Sequence, residues 1–452
     1  MPRAADAYPL RAIVRFWLPL ALTWLFMAVE GPFLAAVIAR LADPKFNLAA
    51  YGVAAAIAML VEAPVIMMMS ASTALADSWQ AFRKLWNFVL ALNAGITAFM
   101  LLLLIPPVFH GVFGDLIGLE PEVERLTRRA LFLLLPWPAA IGYRRFYQGL
   151  LIRSGRTRRV AYGTLVRLGA MASTALLLSR HAGLEGSAVG AAALSAGVCA
   201  EAVASRFMAR GALRELRADR SRVPDHPLEY GAIVRFYIPL AMTMIITQAL
   251  QPLVTLFMGQ ARFSLESLAV LPVVQSLVFL FRAPGVSFQE AAIALLGQDR
   301  HRLGSVLRFT GLLAGITSLG LAVIAWTPLA QVWFQRVSGL SPELGAFALA
   351  PVRILTLMPA LAALQSLQRA LLIDNRRTRP ITGATLVELL GVFGLLALTV
   401  RGLDLTGATA AAISLIAGRI AGNLYLMPAC LTACKTAASS SPASAGSLSR
   451  RS

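Results

Sequence analysis

Apolar runs of about 20 residues recur from one end of the chain to the other, and each is long enough to cross the hydrocarbon of a bilayer. Few folds tolerate this. In lipid every backbone amide must be satisfied within the protein, which leaves helices or a closed barrel. A barrel needs strict alternation of apolar and polar residues, and stretches such as Leu101 to Ile105 and Ala191 to Leu194 are apolar at every position. The chain has 452 residues, 58% hydrophobic and 14% charged, with a mean hydropathy of +0.70. A soluble domain carries about 25% charged residues. The pattern therefore predicts an all-α polytopic membrane protein. Twelve spans are read, near residues 16–38, 48–74, 86–106, 130–151, 161–180, 187–208, 233–258, 268–296, 306–328, 347–372, 381–400 and 407–434.

The spans fall into two sets of six. Ala12 to Thr23 reads AIVRFWLPLALT, and Ala232 to Thr243 reads AIVRFYIPLAMT, an offset of 220 (232 − 12). The same offset relates Ala63-Pro64 to Ala283-Pro284 and Ala94–Thr97 to Ala314–Thr317. At an offset of 221 (359 − 138), Pro138–Val160 matches Pro359–Ile381 and Gly186–Gly197 matches Gly407–Gly418. An even number of spans returns the chain to its starting side, so the halves run parallel, related by an axis along the membrane normal. The expected organisation is an N-terminal lobe over 1–212, a cytoplasmic linker over 213–228, a C-terminal lobe over 229–435 and a disordered tail over 436–452. The linker contains Pro224, and the tail is rich in Ser and Ala.

The formal charge of +19 suggests nucleic acid at first sight, but no basic face interleaved with aromatics appears. The charge is instead distributed by topology. With an even span count both termini share a side, and the loops on that side hold Arg83, Lys84, Arg153, Arg156, Arg158, Arg159, Arg210, Arg214, Arg217, Arg220, Arg222, Arg300, Arg302, Arg376, Arg377 and Arg379. Roughly 24 basic residues lie there against roughly 9 on the other side, so both termini are expected in the cytoplasm. The chain reads as an integral protein of a bacterial inner membrane. The N-terminal run continues to full spanning length, unlike a signal peptide. Cys199, Cys430 and Cys434 form no disulfide framework, and the scattered His110, His181, His226 and His301 suggest no metal site. No cofactor is expected.

Charges at membrane depth face protein or a water-filled cavity. Glu30 (span 1), Glu62 (span 2), Arg167 (span 5), Arg282 (span 8) and Glu388 (span 11) are such residues. The repeat aligns Glu62 with Arg282 and Arg167 with Glu388, so equivalent positions carry opposite signs. Glu62 and Arg282 are expected to approach across the pseudo-two-fold as a gate or cavity wall, with a structural ion pair as the other reading. Glu30, whose repeat position is Leu250, is the candidate for proton coupling, because a carboxylate at this depth can exchange a proton near neutrality. Span 4 places Arg144 and Gln148 four apart on one face, and span 10 does the same with Gln365 and Arg369. Guanidinium groups there suit carboxylate or phosphate, or they snorkel to the surface. Gln248 and Gln251 add hydrogen-bonding capacity in span 7. Pro32 and Pro252, and Pro64 and Pro284, are paired hinge candidates, since proline removes a helix hydrogen bond.

The segments Arg15–Thr23, Ala50–Pro64, Arg235–Thr243 and Gly402–Gly418 resemble the multidrug/oligosaccharidyl-lipid/polysaccharide (MOP) flippase superfamily. Within it the sequence is similar to MATE-type exporters and to the progressive ankylosis family. The resemblance implies two facing six-helix lobes and alternating-access export of a small-molecule substrate, by proton- or sodium-coupled antiport or by facilitated release. The basic residues lean towards an anionic substrate. Span 7 lacks the acid of sodium-coupled relatives, and span 1 has Glu30 where proton-coupled members have aspartate. A lipid-linked saccharide flippase is the alternative within the superfamily. A membrane-embedded acyl- or glycosyltransferase is the alternative outside it, but no HxxxxD, DxD, HExxH or P-loop pattern is present.

Overall fold

The computed structural model describes residues 9–154, 156–181, 183–218, 228–298, 302–375, 377, 379–403 and 405–439. Among these the chain is helical, with one isolated bridge between Arg262 and Thr406. The main helices are α1 (Leu10–Ile38), α2 (Pro44–Ile66), α3 (Trp79–Leu103), α4 (Pro136–Arg153), α5 (Thr157–Leu178) and α6 (Gly186–Met208). The second half gives α7 (Tyr230–Gln248), α8 (Ser264–Gln298), α9 (Leu303–Trp326), α10 (Met358–Asp374), α11 (Arg379–Ala397) and α12 (Gly407–Ser439). The end of the bundle carrying the arginine-rich turns is here the basic end; the other is the opposite end.

Eleven helices among the described residues are long and apolar enough to cross a membrane. The twelfth expected span is α4, whose 18 residues include Arg144, Arg145 and Arg153. It is nonetheless part of the bundle, packed on α2 and α6. Its three arginines make it less apolar than its repeat mate, which lies within the apolar span Pro342–Asp374.

The duplication extends to irregular features. Wide π-helical turns occupy Gly111–Leu116 and Val332–Val337, and each is left through a glycine with positive φ, Gly118 (79°) and Gly339 (77°). Both glycines take the left-handed conformation that a Cβ disfavours. Two expectations shift. Part of the expected linker is helical, since Arg210–Ala218 forms a helix; 219–227, with Arg220, Arg222 and Pro224, lies outside the described residues. Helix α12 runs to Ser439, past the expected start of the tail at 436, and 440–452 lies outside the described residues.

The hydrophobic core has a telling shape. At the opposite end one continuous cluster joins both lobes, from Leu34, Tyr51 and Phe113 to Val254, Leu268 and Phe334. Towards the basic end it divides. One cluster belongs to the N-terminal lobe (Phe82, Phe146, Leu150) and another to the C-terminal lobe (Phe288, Phe309, Leu367). The lobes are therefore fused by burial at one end and separated at the other.

Each lobe also holds the start of the other's first helix. Ile13 of α1, fully buried, packs in the C-terminal cluster with Trp17 beside it, and Ile233 and Tyr237 of α7 are buried in the N-terminal cluster. These are repeat mates (233 − 13 and 237 − 17 both give 220). The matched AIVRF[WY] segment is thus a crossed clasp between lobes.

Candidate functional site

The clasp meets the prolines. Trp17 Nε1 donates to Ser287 Oγ at 2.9 Å and to the Pro284 carbonyl at 3.3 Å on α8. Its mate Tyr237 donates its hydroxyl to the Pro64 carbonyl on α2. A proline in a helix disturbs the local hydrogen-bond ladder, and the two proline carbonyls at matched positions accept from matched aromatic donors of the opposite lobe. Trp17 packs edge-on against Phe309, and Tyr237 against Phe88. The four hinge candidates then differ. The helix breaks at Met67 just after Pro64, and α7 ends at Gln248, resuming as Leu250–Gly259 with Pro252 in its first turn. Pro32 and Pro284 sit inside the continuous helices α1 and α8. Each repeat pair therefore breaks one helix and leaves the other whole. We expect Trp17→Phe with Tyr237→Phe to remove about 1 kcal/mol per donor. Amide exchange in the first turns of α1 and α7 should rise several-fold while α6 stays unchanged. Equal exchange in variant and parent would show that the clasp contributes packing only.

The intramembrane charges form two clusters, one in each lobe, around helices 4 to 6 and their mates. In the N-terminal lobe, Arg144 (α4) forms an ion pair with Glu201 (α6), and Arg167 (α5) with Glu30 (α1). Arg167 Nε lies 3.6 Å from Glu201, and Gln148 Nε2 donates to Glu201 Oε1 at 3.0 Å. Glu201 is wholly buried, with its Cγ 3.3 Å from the Cβ position of Gly163, so a small residue on α5 makes room for it. Arg145 reaches Met69 Sδ at 3.8 Å. Glu62 (α2) is buried with Oε2 lacking a hydrogen-bond donor, in the field of Arg144, Arg145 and Arg167. Three carboxylates and three guanidiniums balance.

The C-terminal cluster does not balance. Arg419 (α12) holds Glu388 (α11) at 2.8 Å and also donates to Gln365 (α10), while Gln365 Nε2 donates to Glu388 at 3.2 Å. Arg282 (α8) lies over the Phe279 ring, 5.2 Å from its centroid. Neither Arg282 nor Arg369 (α10) has a carboxylate at ion-pair distance among the described residues, although both sit in the field of Arg419 and Glu388. Gln368 and Asn423 tie α10 to α12 through backbone carbonyls at 3.0 Å. Three guanidiniums face one carboxylate.

The expected approach of Glu62 to Arg282 is not formed. Each belongs to its own lobe's cluster, and no ion pair joins them among the described residues. The physical reason is that α2 and α8 turn these positions toward α4–α5 and α11–α12 of their own lobes, where opposite charges already wait. Arg144 and Gln148 meet as expected, but over a carboxylate that sequence reasoning passed over. Glu201 and Arg419 are the missed residues. Their repeat positions are Gly422 and Val198 (201 + 221; 419 − 221), so alignment of the halves does not flag them; a plain scan for charges inside the last span of each lobe would have. Gln251 Nε2 donates to Gln275 at 2.9 Å between the second α7 segment and α8, and Gln248 is half-buried at the α7 break. No group of three or more metal-ligating side chains occurs among the described residues.

At the opposite end the lobes are sealed. Lys45 pairs with Glu266 at 2.7 Å, Arg40 donates to the Arg336 and Val337 carbonyls at 2.6 and 2.7 Å, and Gln260 Nε2 donates to the Leu116 carbonyl at 2.8 Å.

No protein-family model matches the sequence, and no curated protein matches it. The fold does match solved structures. An inward-facing multidrug resistance MATE family transporter of the MOP superfamily superposes with a TM-score of 0.77 at 13% identity, covering 95% of this chain and 99% of that one. The lipid II flippase MurJ, in an inward closed conformation, gives 0.69 at 14% identity over 93% and 91%. A MOP superfamily transporter from Pyrococcus furiosus, described by the reverse polarity of its binding pocket, gives 0.64 at 18% over 94% and 97%. The chain has the two-lobe, all-helical fold of MOP superfamily transporters. None of these matches bears on the expected likeness to the progressive ankylosis family.

Proposed function

We propose that this protein is a secondary transporter that exports a small organic anion by alternating access of its two lobes, with proton or ion coupling. The observation that carries the reading is the C-terminal cluster, with Arg282, Arg369 and Arg419 against Glu388 alone. Charge inside a membrane protein is costly unless paired, and a carboxylate or phosphate on the substrate supplies the missing partner with matching geometry. The arginine-rich end is read as cytoplasmic, in a bacterial inner membrane. The joined core at the opposite end and the divided core at the basic end then correspond to an inward-facing form. Glu30, held by Arg167, and Glu62, with its unpartnered oxygen, are the candidate coupling carboxylates.

A second reading has a specific basis. MurJ shares the fold, and a lipid-linked saccharide also carries phosphate for the arginines to hold.

Counterflow in proteoliposomes, with a panel of organic anions and cations and with or without a pH gradient, separates these. Anion uptake is expected, falling at least tenfold in Arg282→Gln and Arg369→Gln, while Glu30→Gln abolishes the response to the gradient. Cation-only transport, or full activity of both arginine variants, would overturn the anionic reading. Movement of a fluorescent lipid-linked saccharide without solute transport would favour the flippase.

A further inference from the structure

Outside the polar clusters, the opposite end of the N-terminal lobe carries a cavity of about 610 Å³, between the end of α3, the helix Pro121–Leu133 and the start of α6. Its polar wall is Arg125, Arg128 and Arg129; its apolar wall includes Leu104, Phe132 and Leu184. Glu185 accepts from Arg125 Nη1 at 2.8 Å and from Arg129, and Glu122 accepts from Arg125 Nε at 2.9 Å. Arg128 gives its Nε to the Leu104 carbonyl at 3.1 Å and has no carboxylate at ion-pair distance among the described residues. Three guanidiniums therefore face two carboxylates, and the surplus lies on Arg128.

The lobe fold does not require this wall. In the second half the positions of Arg125, Arg128 and Arg129 are Ala346, Leu349 and Ala350 (offset 221), and Glu185 is replaced by Thr406. The one structural duty that recurs is capping of the preceding helix: Arg353 Nε donates to the Ala325 carbonyl at 3.2 Å, and Ala325 is the mate of Leu104. One arginine suffices for that. Two more have been added in the first half alone.

The cavity sits where hydrocarbon gives way to headgroups. Leu101 and Leu102 on the last turn of α3, and Leu176 and Leu177 on the last turn of α5, are outward-facing apolar side chains. Beside the guanidiniums, Phe132 is 63% exposed and Leu184 41%. Basic pockets between helices hold lipid phosphates on the cytoplasmic side of membrane proteins, the same pairing of guanidinium with phosphate is available at this end, and a free anion would have no use for the apolar wall.

We propose that this cavity binds the headgroup of an anionic phospholipid, its phosphate on Arg128 and Arg129 and its first acyl carbons on Phe132 and Leu184. The site is independent of the transported substrate. Native mass spectrometry of the full-length protein, released from micelles containing phosphatidylglycerol or phosphatidylcholine of identical chains, tests it. The parent should retain phosphatidylglycerol several-fold over phosphatidylcholine. Arg128→Gln/Arg129→Gln should lose that preference, the amide at 128 still being able to donate to the Leu104 carbonyl that Arg128 caps, and Phe132→Ser should weaken retention of both lipids. Equal retention of the two lipids by the parent, or an undiminished preference in the double variant, would overturn the proposal. Displacement of the lipid by millimolar inorganic phosphate would reassign the cavity to a free anion.

Discussion

Arg144→Met should be the most damaging single substitution in the N-terminal lobe, costing about 3–5 kcal/mol, the usual loss when one member of a buried ion pair is removed. Glu201 is wholly buried on α6 and bonded to Arg144. What remains for it is Gln148 and a 3.6 Å approach from Arg167, which also serves Glu30. One guanidinium would then answer for two carboxylates. The partner deletion makes the argument sharp. In Arg144→Met/Glu201→Leu both charges are gone, and apolar side chains of similar volume fill the α4–α6 contact, so most of the lost stability should return. Unfolding of the four proteins of this cycle, followed by circular dichroism in mixed micelles, gives the coupling directly. If the single and double variants unfold alike, the pair is not what holds α4 to α6.

The cycle bears on what the amino-acid sequence revealed. Lobe number, parallel relation and helix order were legible because burial in lipid forces a periodic apolar code and because one lobe was written twice. The clasp residues were legible as a repeat, Trp17 with Tyr237 and Ile13 with Ile233, but not as a contact, since nothing in a linear match says that a motif serves the other copy. The polar clusters were half legible. Arg144, Arg167 and Glu388 stand out as charges in apolar runs. Glu201 and Arg419 escaped because they lack charged mates, and the same divergence makes the two clusters differ in net charge. The pairing of Glu62 with Arg282 failed for a related reason: symmetry says which positions are equivalent, not which face one another. Side-chain direction settles that, and here each lies in the field of its own lobe's charges, Glu62 beside Arg144, Arg145 and Arg167 and Arg282 beside Arg419 and Glu388.

The seal at the opposite end shows the same near-symmetry with a functional consequence. Gly118 lies against Gly259, and the repeat image of that contact is Gly339 against Ala39 (118 + 221; 259 − 220). On the Ala39 side a methyl group fits, 3.4 Å from the Cβ position of Gly339. On the Gly259 side a Cβ would stand 2.3 Å from the Ile117 carbonyl oxygen and 2.8 Å from its Cγ2. The obstacle is backbone of the opposite lobe, so a side chain at 259 is penalised only while the lobes are closed at that end. Overpacking of this kind costs about 1–3 kcal/mol, and about 1.4 kcal/mol is tenfold in an equilibrium. Gly259→Val should therefore shift the closed-to-open ratio at the opposite end by about five- to hundredfold. Spin labels on cysteines at Leu116 and Leu403, exposed positions in opposite lobes, should report a longer separation in the variant when the native cysteines are replaced. Ala39→Gly, which only removes a methyl from the mirror contact, should leave the distribution near that of the parent. An unaltered distance in Gly259→Val would mean that the Gly111–Leu119 segment yields locally and the seal is not where the lobes part. A lengthened distance would place the moving boundary between Ile117 and Gly259, on the side of the seam where backbone of the opposite lobe leaves no room for a Cβ, and not at the mirror contact where the Ala39 methyl already fits.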